Sequence, residues 1–270
     1  MTVTQDLENV LDGRPGVFGV YARNLTTGDT VVVNDGRVFP AESSMKTAIL
    51  VHYERCVDAG ALDPRRRVRL APERRFDGSG VLRYLADGLE PTLDDLAWLM
   101  VIVSDNMATA MLVEVLGGPP AVNATTAALG CPTAQLNESI TLERALAGES
   151  FSWSSPRDLA ELYAHLGRRA REMLFRQQHL LGLPRRLPHM AYAADIGIQM
   201  PVRVYNKTGN GVGRFIDSGL FETDTAAWVV AAMADEQTDF ASRPDDSAPV
   251  AFGAIGELLY NTWGGVRAAP

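Results

Sequence analysis

The spacing of apolar and polar positions divides the chain into a short helix, a hairpin, a long helical middle, a second group of strands and a closing helix. Leu7, Val10 and Leu11 share one face of a helix over 3–12. Val17 to Arg23 has the pattern of a strand, Asn24 to Asp29 (NLTTGD) that of a turn, and Thr30 to Asn34 that of the hairpin partner. After Phe39-Pro40 the period becomes helical, from Ser43 to Asp58, with a stop at Gly60. Helical spacing then predominates to about residue 195. Pro91-Thr92 opens one helix through Met100, and Ser104 opens another to Leu116, where Gly117-Gly118-Pro119-Pro120 breaks it. Ser155-Pro156 starts a further helix toward Gly167. Strands return at Val202 to Tyr205, Phe215 to Glu222 and Thr225 to Met233, followed by a polar loop over 239–247 and a helix from Pro249 to Trp263. This order predicts an α+β fold: an antiparallel sheet of about five strands flanked by terminal helices, with an all-α region inserted between the second and third strands. In domain terms it predicts one unit over 1–270, with an α/β part of about 1–42 and 200–270 and an all-α part of about 43–199. No internal repeat is visible.

Composition narrows the function classes. The longest uninterrupted apolar run, Ala226 to Ala234, has 9 residues, about half of what a membrane span needs. With 33 acids against 25 bases the net charge is −8, which disfavours nucleic acid or an anionic membrane as partner. A small molecule is the expected partner, and oligomeric state is left open. The start, MTVTQDLENVLDG, lacks a charged segment followed by an apolar one, so a cytoplasmic location is expected, with a secreted one as the alternative if a leader has been removed. Cys56 and Cys131 form no ligand pattern, and no metal or cofactor is expected.

The bases carry the most information. Of 25, only Lys46 and Lys207 are lysine. Arginine cannot give up its proton in a protein, whereas a buried lysine can be tuned into a general base. Where arginine has replaced lysine almost everywhere, two survivors are candidates for chemistry.

Their contexts support this. Ser43 and Lys46 are spaced to share one face of a helix start, where an amine of depressed pKa can take the serine's proton. Ser104-Asp105-Asn106 offers a hydroxyl that can relay a proton and an amide that can hold a carbonyl, although the same three residues also suit a helix cap. Lys207-Thr208-Gly209, followed by Asn210-Gly211, ends a strand along which a ligand can lie as an extra edge partner. Each element alone is weak. Together, in this order, they place both lysines of the chain in one signature.

From about Val17 to Trp263 the sequence resembles the class A β-lactamases and related penicillin-recognising serine hydrolases, in FPAESSMKTAIL, GSGVLRYLADGLEPTLDDLAWLMVIVSDNMATAMLVEVLGG and VYNKTGNGVG. The resemblance implies a β-lactamase-like fold and Ser43 as acyl-accepting nucleophile with Lys46 as its proton acceptor. It implies Ser104 as proton shuttle, Asn106 as substrate-positioning residue, and Lys207 and Thr208 facing a substrate carboxylate. The N–H groups of Ser43 and Asn210, beside Gly209, would form the oxyanion hole, with Arg214 as a carboxylate anchor.

One departure stands out. Class A enzymes carry Glu-x-x-Leu-Asn in a loop after the Ser-Asp-Asn helix, and that glutamate activates the deacylating water. Here Leu136-Asn137 is present, but Thr133 occupies the glutamate position, and alignment by distance from Ser104 gives Ile140. Glu138 and Glu143 are candidate substitutes, each equally readable as a solvated loop carboxylate. The expectation is therefore a serine hydrolase acting on an amide, ester or β-lactam. The alternative is an intracellular biosynthetic acyltransferase or cyclising enzyme on the same scaffold, and a silent binding module comes third.

Overall fold

The computed structural model describes residues 2–71, 78–137, 150–190 and 192–264. Its main sheet has five antiparallel strands: β1 (Val17–Asn24), β2 (Thr30–Val33), β6 (Arg203–Gly211), β7 (Arg214–Glu222) and β8 (Ala227–Asp235), in the order β2-β1-β8-β7-β6. A smaller sheet joins β3 (Phe39–Pro40), β5 (Ser152–Ser154) and β4 (Gln135–Leu136). The described helices are α1 (Val3–Leu11), α2 (Lys46–Asp58), α3 (Leu93–Ile102), α4 (Asn106–Val115), α5 (Gly118–Ala128), α6 (Pro156–Glu161), α7 (Arg168–Phe175) and α8 (Ser247–Trp263). None of them is long and apolar enough to cross a membrane.

The apolar run 226–234 is central strand β8, covered on both faces, so its apolar positions need not alternate with polar ones. Trp228, Val230, Ala232 and Ala234 pack with Leu7 of α1 and with Phe252, Ile255 and Leu259 of α8. Val229, Ala231 and Met233 face the other way, into a core shared with Ile49, Leu50, Met100, Leu112 and Leu159 of the helical region. The sheet is thus the wall between two apolar layers. α2 is buried along most of its length, including Ile49, Leu50, Val51 and Tyr53, as expected of a helix running through a core.

Local differences from the sequence expectation have local causes. Ser104 lies outside α4 with φ of 55°, and Asp105 is the N-cap, accepting from Ala108 N at 2.9 Å. Gly117-Gly118-Pro119-Pro120 does end α4, but it also starts α5, because proline fits the first turn of a helix as well as it ends one. The strand bearing Lys207 runs on to Gly211, so Lys207-Thr208-Gly209 sits inside it rather than at its end. The small sheet has no counterpart in the sequence reading.

Candidate active site

Ser43 sits in a 3₁₀ turn, Glu42–Met45, that runs directly into α2. Side chains three apart eclipse in a 3₁₀ turn, which brings Ser43 and Lys46 onto one side. The turn is seated on edge strand β6 at Gly209, where an added Cβ would stand 2.7 Å from Ala41 O and 2.9 Å from Ser44 N. Only glycine permits that approach. Ser152 closes the turn from the opposite side, its Oγ donating to Glu42 O at 2.9 Å and its O accepting from Ala41 N at 2.9 Å.

Lys46, 1% exposed, directs Nζ to Ser104 O at 2.7 Å, Ser104 Oγ at 2.9 Å and Asn106 Oδ1 at 2.8 Å. Lys207, fully buried, reaches Ser104 Oγ at 3.1 Å and Thr208 O at 2.9 Å. The two lysines of the chain therefore meet on one hydroxyl. Burial, and then the Lys207 charge, hold the Lys46 amine well below the ordinary lysine range, against the opposing pull of Asp105. Burial lowers Lys207 to about 7, with Asp217 acting the other way. A chain with one hydroxyl between two desolvated amines is equipped to move a proton across a bond being broken.

Asp105 holds this centre to the loop before it. Its Oδ2 accepts from Val81 N at 2.6 Å and Leu82 N at 2.8 Å, and Asn106 N donates to Ser79 O at 2.9 Å. Gly78 and Gly80, both at positive φ, lie against the Asn106 and Asp105 side chains, where a Cβ would collide. The glycines of Gly78-Ser79-Gly80 serve close packing, and a Gly-x-Gly ahead of a Ser-Asp-Asn segment is the signal the sequence carries for it. Asp105→Ala leaves three N–H groups without their acceptor and is expected to destabilise the protein by about 2–4 kcal/mol, measured by thermal or urea unfolding.

The remaining expected site residues divide. Thr208 lines β6 and is buried, while Asn210 is exposed on the same edge strand. Arg214 points its guanidinium at two carboxylates, Glu42 at 3.2 Å and Asp235 at 3.1 Å. Glu42, unremarked in the sequence, is the residue before Ser43 and has φ of 48°. Thr133 is occupied elsewhere, its Oγ1 donating to Asp158 Oδ2 at 2.7 Å and accepting from Ser155 N at 2.9 Å. Asn137 donates from N to Phe151 O at 2.8 Å and from Nδ2 to Ser150 O at 2.9 Å. Glu138, Ile140 and Glu143 lie outside the described residues.

A serine turn on a buried lysine helix thus stands between a Ser-Asp-Asn corner and the edge strand of an antiparallel sheet. The model of the beta-lactamase enzyme family matches residues 2–263, and the chain belongs to that family. It is 32% identical over 152 residues to the carbapenem-hydrolyzing beta-lactamase KPC of Klebsiella oxytoca, covering 54% of this chain and 50% of that protein. With a beta-lactamase of Streptomyces lavendulae it shares 30% over 153 residues, 55% of this chain and 50% of the other. The matched stretch thus spans about half the length of these curated relatives. Among solved structures, a beta-lactamase from Sphaerobacter thermophilus superposes with a TM-score of 0.83 at 28% identity, covering 98% of each chain. PBP-A superposes at 0.81 and 24% identity, covering 96% of this chain and 95% of its own; a point variant of it was solved as an acyl-enzyme complex with penicillin G.

Proposed function

We propose that the protein is a serine hydrolase that forms an acyl-enzyme on Ser43 from an amide, ester or β-lactam. The observation that carries this is the pair of buried amines, Lys46 and Lys207, on Ser104 Oγ. Lys46, kept low by burial, takes the Ser43 proton as Oγ attacks the substrate carbonyl. Ser43 N lies in the first turn of a helix, where N–H groups have no partner within the helix, and with Asn210 N it receives the oxyanion. The proton then passes from Lys46 through Ser104 Oγ to the departing nitrogen or oxygen, and the carbonyl bond to the leaving group breaks. Lys207, protonated, and Thr208 face a carboxylate on the substrate, and the Asn106 amide positions its acyl side chain.

A second reading has the acyl group passed to an amine or alcohol instead of water. The bonding of Thr133 to Asp158 and Ser155 favours it, because the position that the Leu136-Asn137 motif assigns to a general base carries a hydroxyl committed to structure. Intact-protein mass spectrometry after mixing with benzylpenicillin or p-nitrophenyl acetate separates the two. A Ser43 adduct absent from Ser43→Ala is expected. Rapid decay of the adduct identifies a hydrolase, and persistence in water with release by an added amine identifies a transferase. No adduct from either reagent removes the acyl-enzyme reading.

A further inference from the structure

We infer that Glu42 and Arg214 act as a pair that positions the nucleophile turn, fixing the oxyanion hole rather than anchoring a substrate carboxylate. This rests on the acyl-enzyme function proposed above. Glu42 precedes Ser43 in a backbone conformation that a non-glycine residue rarely adopts, so something must hold it there. Its side chain crosses the face of β6. A Cβ on Gly209 would stand 3.0 Å from Glu42 Cβ, and one on Gly211 would stand 3.0 Å from Glu42 Oε1. Beyond Gly211 the carboxylate meets Arg214 Nη1 at 3.2 Å, and Arg214 Nε holds Asp235 Oδ1 on β8 at 3.1 Å.

The geometry has a direct bearing on the two oxyanion donors. Ser43 N belongs to the turn, and Asn210 N belongs to β6, one residue from Gly209 and one from Gly211. Gly211 and Arg214 are paired across the β6–β7 hairpin. The ion pair therefore spans from the residue beside one donor to the hairpin that carries the other, and its length sets their separation. Charge adds a second requirement. A carboxylate next to Ser43 opposes a developing oxyanion unless it is neutralised, and Arg214 neutralises it. With both forks of its guanidinium on protein carboxylates, Arg214 serves the turn.

The test uses 3-nitrophenylboronic acid, which adds to a serine oxygen and presents a tetrahedral anion to the oxyanion donors, together with acylation by p-nitrophenyl acetate. Glu42→Gln is expected to weaken boronate binding about 10-fold. Arg214→Gln, which leaves Glu42 uncompensated, should weaken it about 100-fold, approaching the roughly 10²–10³ of removing a donor outright. The double variant should return to the level of Glu42→Gln, because the repelling carboxylate is gone. In each case the acylation rate constant falls while KM for the ester holds. Melting curves establish that the variants fold, and where Arg214→Gln does not, Arg214→Lys keeps the charge and loses one of the two partners. Unchanged boronate affinity in folded variants overturns the inference, and so does a rise in KM for benzylpenicillin at constant kcat, the signature of a substrate anchor. A parent chain that neither binds the boronate nor takes an acyl group fails the acyl-enzyme function itself, and the positioning role falls with it.

Discussion

Lys46→Met is expected to slow acylation of Ser43 by about 10³-fold, in the range of a lost general base, while stability shifts by no more than about 2 kcal/mol. The stability change is small because two effects oppose. Ser104 O and Asn106 Oδ1 lose a donor, but a desolvated amine close to Lys207 is also removed. Burst kinetics with p-nitrophenyl acetate give the rate, and thermal unfolding gives the stability. The same lysines predict a pH profile. Burial and the Lys207 charge hold Lys46 well below the ordinary lysine range, which favours its neutral, proton-accepting form, and acylation falls on acidification as it takes up a proton. Lys207 titrates at about 7, so a carboxylate-bearing substrate such as benzylpenicillin should lose kcat/KM above that pH as the positive charge disappears. p-Nitrophenyl acetate carries no carboxylate and should lack that alkaline limb. Identical alkaline limbs for both would remove Lys207 from carboxylate recognition.

Gly209→Ala should slow acylation by a different route. The new methyl meets Ala41 O and Ser44 N, which are backbone atoms, so no side chain can swing away. The nucleophile turn and β6 must separate. Overpacking of this kind costs about 1–3 kcal/mol. Displacing Ser43 from the edge strand should lower acylation about 100-fold, since shifts of about 1 Å are enough for that. Acylation rate and unfolding midpoint, measured on the same preparation, check both halves. A folded Gly209→Ala with parental rates would mean that the turn does not depend on its seat at β6.

The parts of this molecule legible in the sequence are those whose cause is local or compositional. Leu7, Val10 and Leu11 announce α1 by spacing, and the run 226–234 marks a strand buried on both faces. The lysines stand out because arginine takes every other basic position. What escapes depends on partners distant in the chain. Glu42 reads as an ordinary surface acid until Arg214, 172 positions away, is brought beside it. The small sheet pairs Phe39 with Ser154, and two-residue strands leave no periodicity to detect. The start of α4 lies two residues beyond the one expected because Ser, Asp and Asn are all good caps, and only the positive φ of Ser104 assigns the role to Asp105.

The strand order has a consequence for how the protein is made. β1 pairs with β2 on one side and with β8 on the other, so the first hairpin to be synthesised waits for the last strand of the sheet. At about 5–20 residues per second, the roughly 200 residues between them take about 10–40 s to emerge. Throughout that interval β1 presents an open, apolar edge that can pair with other chains. Slower translation of the helical middle therefore lengthens the exposure of β1.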